Sequence, residues 1–269
     1  MAARWSRLAG LILLVLVAAV QPIAAQEVTI PSAKLQIPGI LHKPGGDGPF
    51  PALVFLVGCE GNTHPAPPLA EQHAQWVDRL GGWGYVTLEL DSFTPRNRDS
   101  CDSARTVSED MRCLDAYAAK SYLSTLLFVD PDNVGVIGWS HGGSTILTII
   151  DASSGLRLVN KLVSPFKAAV AFYPYSHSLY HPDTPVLVLT GRKDQSCPAY
   201  LAESMDRDYK SSNREQEFSL TVYPNATHGF DVEGFKGGFD FAGRHMDYDP
   251  QATADAITRT KDFLAKYMR

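Results

Sequence analysis

Several segments of this chain are apolar almost without interruption, and they constrain the fold more than any other feature: Ala52–Val57, Val134–Ile137, Ala168–Phe172 and Val186–Leu189. A strand with one wet face alternates apolar and polar residues. A continuous run instead predicts a strand covered on both faces, as in parallel sheets sandwiched between helices. Tyr85–Leu90 and Leu220–Val222 extend the series. Between the runs, Leu69–Leu80, Thr106–Phe128, Gly142–Asp151 and Gln251–Tyr267 carry helical spacing of apolar residues. Pro131-Asp132-Asn133 punctuates the join between the long helix and the following strand. Strands alternating with helices predict an α/β, doubly wound, mostly parallel sheet with helices on both faces. The looser alternation from Glu27 to Lys43 predicts an antiparallel hairpin at one sheet edge, which brings the expected total to about eight strands.

The chain has 269 residues, and 45% of them are hydrophobic. That is enough to build a sizeable core, and no linker-like stretch divides residues 26–269, so they are expected to form a single domain. The formal net charge of −5 gives no basic surface for phosphate contacts, which argues against a nucleic-acid partner. At the N-terminus, Arg4 and Arg7 precede an apolar run from Leu8 to Val20, and Ile23-Ala24-Ala25 precedes Gln26. This is the layout of a signal peptide over residues 1–25, cleaved before Gln26, and it predicts an exported protein, periplasmic or secreted. The run falls short of the ~20 apolar residues that span a bilayer, although an uncleaved anchor is the alternative. In an oxidising compartment cysteines pair. Cys101 and Cys113 bracket a short polar stretch and are the favoured disulfide among Cys59, Cys101, Cys113 and Cys197.

The chemistry centres on Gly138-Trp139-Ser140-His141-Gly142, which lies between the strand Val134–Ile137 and the helix that Gly142 opens. A serine hydroxyl is a weak nucleophile at neutral pH and needs a base in reach and donors for the oxyanion. A strand-to-helix turn with glycines at both flanks presents such a serine in a strained, exposed conformation. His228 follows the strand Leu220–Tyr223 and is the candidate base. Asp194 follows the strand Val186–Leu189 and is the candidate acid that orients it. The order Ser140, Asp194, His228 is that of the α/β-hydrolases. Asp183 and Asp206 are rival acids, one placed before a strand and the other inside an expected helix. The backbone N–H groups of His141 and Cys59 are the candidate oxyanion donors. His177 and His181 share a polar loop, but no carboxylate spacing completes a metal site around them, so no metal is expected.

Taken together, Val57-Gly58-Cys59-Glu60-Gly61, Asp91-Ser92-Phe93-Thr94-Pro95-Arg96, Gly138-Trp139-Ser140-His141-Gly142-Gly143, Gly191 to Asp194 followed by Pro198, and His228-Gly229-Phe230 resemble the dienelactone hydrolase family. The likeness covers most of residues 26–269. It implies a compact α/β-hydrolase without a large lid domain, acting on a small carboxylic ester or lactone with no cofactor. Glu60, Arg96 and Trp139 are candidate substrate contacts. Two departures stand out. The founding members use a cysteine where this chain has Ser140, and Val57-Gly58 replaces a His-Gly pair that relatives often carry. A peptidase of prolyl-oligopeptidase type and a non-catalytic exported binding protein of the same fold are the competing readings.

Overall fold

The computed structural model describes residues 24–59, 67–98, 107–153, 164–175, 181–212, 215–241 and 243–268. The sheet has eight strands: β1 (Ala24–Ser32), β2 (Leu35–Lys43), β3 (Phe50–Leu56), β4 (Val86–Leu90), β5 (Val129–Trp139), β6 (Ala169–Phe172), β7 (Val186–Gly191) and β8 (Phe218–Tyr223). Their order across the sheet is β1-β2-β4-β3-β5-β6-β7-β8. β2 pairs antiparallel with both β1 and β4, and every pairing from β4 to β8 is parallel. The architecture is the doubly wound α/β-hydrolase sheet, with the expected hairpin at its edge.

The continuous apolar runs follow from burial of both sheet faces. In β3, Ala52, Val54 and Leu56 enter one core, while Leu53, Phe55 and, just past the strand, Val57 enter the other. The first core is closed by α2 (Glu109–Leu123), α3 (His141–Ile149) and α4 (Ala199–Ser211) through residues such as Ala116, Ile146 and Met205. The second is closed by α1 (Pro67–Gly82) and α5 (Pro250–Tyr267) through Trp76, Leu80, Ala256 and Leu264. Among the described residues, no helix is long and apolar enough to cross a membrane.

Local chemistry sets the boundaries. The Ser108 side chain accepts from Met111 N and starts α2 later than the apolar spacing suggests. Asp249 accepts from Gln251 N and Ala252 N to start α5, whose first residue is Pro250. At the other end of the Thr106–Phe128 segment, α2 stops at Leu123 and β5 begins at Val129, upstream of Pro131. The proline does not separate helix from strand. It lies in an irregularity of β5, where the register against β3 shifts and Asp130 accepts from Asp132 N and the Asn133 amide. Of the segment 1–25, only Ala24 and Ala25 are described; they pair with Lys43 and His42 at the exposed end of β1. A short hairpin, β9 (Phe239–Phe241) with β10 (Arg244–Met246), has no counterpart in the apolar pattern, because all but Met246 of its residues are exposed.

Strand order reverses around β3. The chain passes from β3 to β4 on one side and then returns to β5 on the other. In open α/β sheets, ligands bind beyond the carboxyl ends of strands at such a switch point. Cys59 follows β3 and Ser140 follows β5, so both lie there.

Candidate active site

Ser140 sits between β5 and α3 with φ 50° and ψ −117°, a conformation that L-residues rarely adopt. Hydrogen bonds hold it there: Ser140 N donates to Phe172 O (3.0 Å), and Ser144 N donates to Ser140 O (2.8 Å). The turn is possible because its glycines let backbones touch. A Cβ on Gly142 would lie 2.1 Å from Leu56 O and 2.6 Å from Val57 O, and one on Gly138 would lie 2.8 Å from Leu56 O. The serine turn is therefore pressed against the end of β3 that leads to Cys59. Gly142→Ala forces these backbones apart and is expected to cost about 3 kcal/mol, at the upper end of overpacking. Denaturant unfolding checks this, and a cost below about 1 kcal/mol would contradict the contact.

The loops after β7 and β8 deliver two more groups to the serine. The His228 imidazole accepts from Ser140 Oγ at Nε2 (2.9 Å) and donates from Nδ1 to Asp194 Oδ2 (2.8 Å). The other Asp194 oxygen, Oδ1, accepts from Ser196 N and Cys197 N, each at 2.7 Å. Asp194 is thus fixed on both oxygens, and its carboxylate in turn fixes the imidazole tautomer. Burial works against the imidazolium, but hydrogen bonding with Asp194 and Cys197 outweighs it and raises the His228 pKa above the usual histidine range. Such a chain of groups can deprotonate a hydroxyl and hold the resulting positive charge.

A buried cation that sequence reasoning did not single out braces both candidate oxyanion turns. Arg112, on α2 and fully buried, donates from Nη2 to Val57 O (2.8 Å) and from Nη1 to His141 Nδ1 (2.8 Å). Its guanidinium lies 5.0 Å from the Phe93 ring centre. Burial, then the Arg112 charge, push the His141 pKa down to about 3, so this side chain is neutral and accepts at Nδ1. Arg112→Gln is expected to cost about 2 kcal/mol of stability, because a charged donor to buried acceptors is lost. The measurement is the urea midpoint, and an unchanged midpoint would remove Arg112 from this role.

Several expected residues fall elsewhere. Cys113 does not pair with Cys101: it is a buried free thiol on α2, facing Thr145 O at 3.7 Å. It packs in the core against the sheet, among residues such as Ala116 and Ile146. Cys197 is also free, whereas Cys59 is disulfide-bonded. Cys101 and Glu60 lie outside the described residues, as does His177. Arg96 does not point a free guanidinium at a substrate; it forms a two-pronged pair with the fully buried Asp115 (2.8 and 3.1 Å) and donates to Ser92 O. Trp139 is core, packed on Phe55 and Phe172, because alternation along β5 turns it away from the serine's side of the turn. Asp206 pairs with Lys210 on α4, and Asp183 accepts from Thr184 Oγ1.

Fold and site together define an enzyme of the α/β-hydrolase class. The chain belongs to the dienelactone hydrolase family, whose sequence pattern matches residues 37–268, and it is accordingly a carboxylic ester hydrolase. A Synechocystis protein provisionally named carboxymethylenebutenolidase is 25% identical over 266 residues, which cover 88% of this chain and 94% of that one. Thermogutta terrifontis esterase 2 superposes with a TM-score of 0.65 at 18% identity, covering 90% of this chain and 94% of that one. A dienelactone hydrolase-like promiscuous phosphotriesterase from metagenomic libraries superposes with a TM-score of 0.68 at 20% identity, covering 92% and 99%. These two likenesses concern the fold.

Proposed function

We propose that this chain hydrolyses small carboxylic esters or lactones through an acyl-enzyme on Ser140. His228 takes the hydroxyl proton as Ser140 attacks the carbonyl, and Asp194 stabilises the imidazolium. The tetrahedral oxyanion is received by the backbone N–H groups of His141 and Cys59. His228 then gives its proton to the leaving alkoxide. It next activates the water that hydrolyses the ester to Ser140 and regenerates the free hydroxyl. The observation that carries this reading is the imidazole bridging Ser140 Oγ at 2.9 Å and Asp194 Oδ2 at 2.8 Å.

A fluorophosphonate probe tests it: the purified protein should be labelled at Ser140, as located by peptide mass spectrometry. Labelling elsewhere, or none on folded protein, would sink the reading and favour a non-catalytic binding protein. Ester and amide substrates assayed side by side separate an esterase from a peptidase. We further propose that the chain is exported. The basic and apolar layout of residues 1–25 supports this, and the N-terminal sequence of the native protein, expected to begin near Gln26, checks it.

A further inference from the structure

Behind the catalytic histidine lies a buried carboxylate that the mechanism above does not use. Asp231, 3% exposed, follows His228-Gly229-Phe230. Its Oδ2 accepts from the indole N–H groups of Trp76 (2.9 Å) and Trp139 (3.0 Å), and its Oδ1 accepts from Tyr173 O–H (2.7 Å). Gln72 Nε2 also donates to the Tyr173 oxygen (3.0 Å). Burying a carboxylate is costly, and these partners are neutral donors, so the arrangement costs stability that a simple apolar filling would not.

The three donors come from α1, the residue before Ser140 and the residue after β6. Tyr173 reaches inward with φ 35°, a strained backbone held by its N–H to Leu189 O (2.7 Å). Its ring lies 4.6 Å from the His228 ring, centre to centre. An aromatic ring against an imidazole favours the cationic form, more so when the phenol donates to a carboxylate.

We propose that Asp231 is a positioning residue for His228: by anchoring Tyr173 it fixes the aromatic ring that stabilises the imidazolium formed as Ser140 attacks. This rests on the acyl-enzyme reading above. Among the described residues, the charged and titratable groups facing His228 are Asp194 and Cys197 from the loop after β7 and Tyr173 after β6, with Asp231 acting through Tyr173.

The test is the pH profile of kcat and kcat/KM for a p-nitrophenyl ester in Asp231→Asn and Tyr173→Phe, with thermal unfolding of each. Both variants should lower kcat about two- to fivefold with KM little changed. Both should move the acid limb of kcat/KM down by about half a pH unit. A lowered Tm with an unmoved acid limb would overturn the proposal and leave Asp231 a structural residue. Tyr173→Phe removes a single oxygen and decides the question alone should Asp231→Asn not fold. Failure of Ser140 to react with fluorophosphonate would defeat the parent reading, whereas normal labelling with an unmoved limb defeats only this one.

Discussion

Ser140→Ala is expected to lower kcat for an ester about a million-fold, the scale seen when the nucleophile of such a triad is deleted. The fold should be almost untouched. Alanine keeps the Cβ, so the strain at φ 50° is unchanged, and the backbone bonds to Phe172 O and from Ser144 N remain. What disappears is Oγ and its bond to His228, worth about 1 kcal/mol. The residual rate should be what the oxyanion donors and binding supply, about 10³-fold over water. Stopped assays at high enzyme concentration, with unfolding followed by circular dichroism, measure both quantities. Turnover within tenfold of the wild type would show that the attacking group is elsewhere.

Asp194→Asn should lower kcat about 10⁴-fold, through the tautomer of His228 rather than through loss of contact. The asparagine carbonyl can still accept from Ser196 N and Cys197 N. Its amide then points N–H at His228 Nδ1, which must accept, and the ring proton moves to Nε2 facing Ser140. A ring with its proton there cannot take the serine's.

The pH dependence follows from the same contacts. Burial disfavours the His228 imidazolium, yet hydrogen bonding with Asp194 and Cys197 raises its pKa overall. In the proposed mechanism His228 works as neutral imidazole, so kcat/KM should rise with pH through a value above the ordinary histidine pKa of about 6.5. Without the carboxylate, the largest raising influence is gone. The acid limb of Asp194→Asn should shift to lower pH even as the plateau falls. An acid limb above that of the wild type would contradict this account.

Much of the sheet was legible because burial writes itself into composition: β3, β7 and the Val134–Trp139 half of β5 are covered on both faces and carry almost no polar residue. The exposed hairpin β9–β10 has no such imprint. Pro131 misleads for a related reason, since a proline normally marks a break but here occupies an irregularity within β5. In the site, Ser140, Asp194 and His228 were found because each follows a strand, and strand ends are visible in sequence. Arg112 was not, being one polar position on a helix whose burial depends on what packs over it. Asp231 was within reach, three residues past His228, but nothing local marks a carboxylate that two indoles and a phenol from distant segments will surround.

The sequence by itself determined the strand and helix alternation, the strained serine turn and the order of the groups that meet there. These depend on local periodicity, on glycine's freedom and on short loops. Only the tertiary structure decided that Cys113 and Cys197 stay buried free thiols, that Arg96 is consumed by Asp115, and that Trp139 faces Asp231 instead of a substrate. A side chain's role is set by the partner that desolvates or bonds it, and that partner comes from a segment far along the chain.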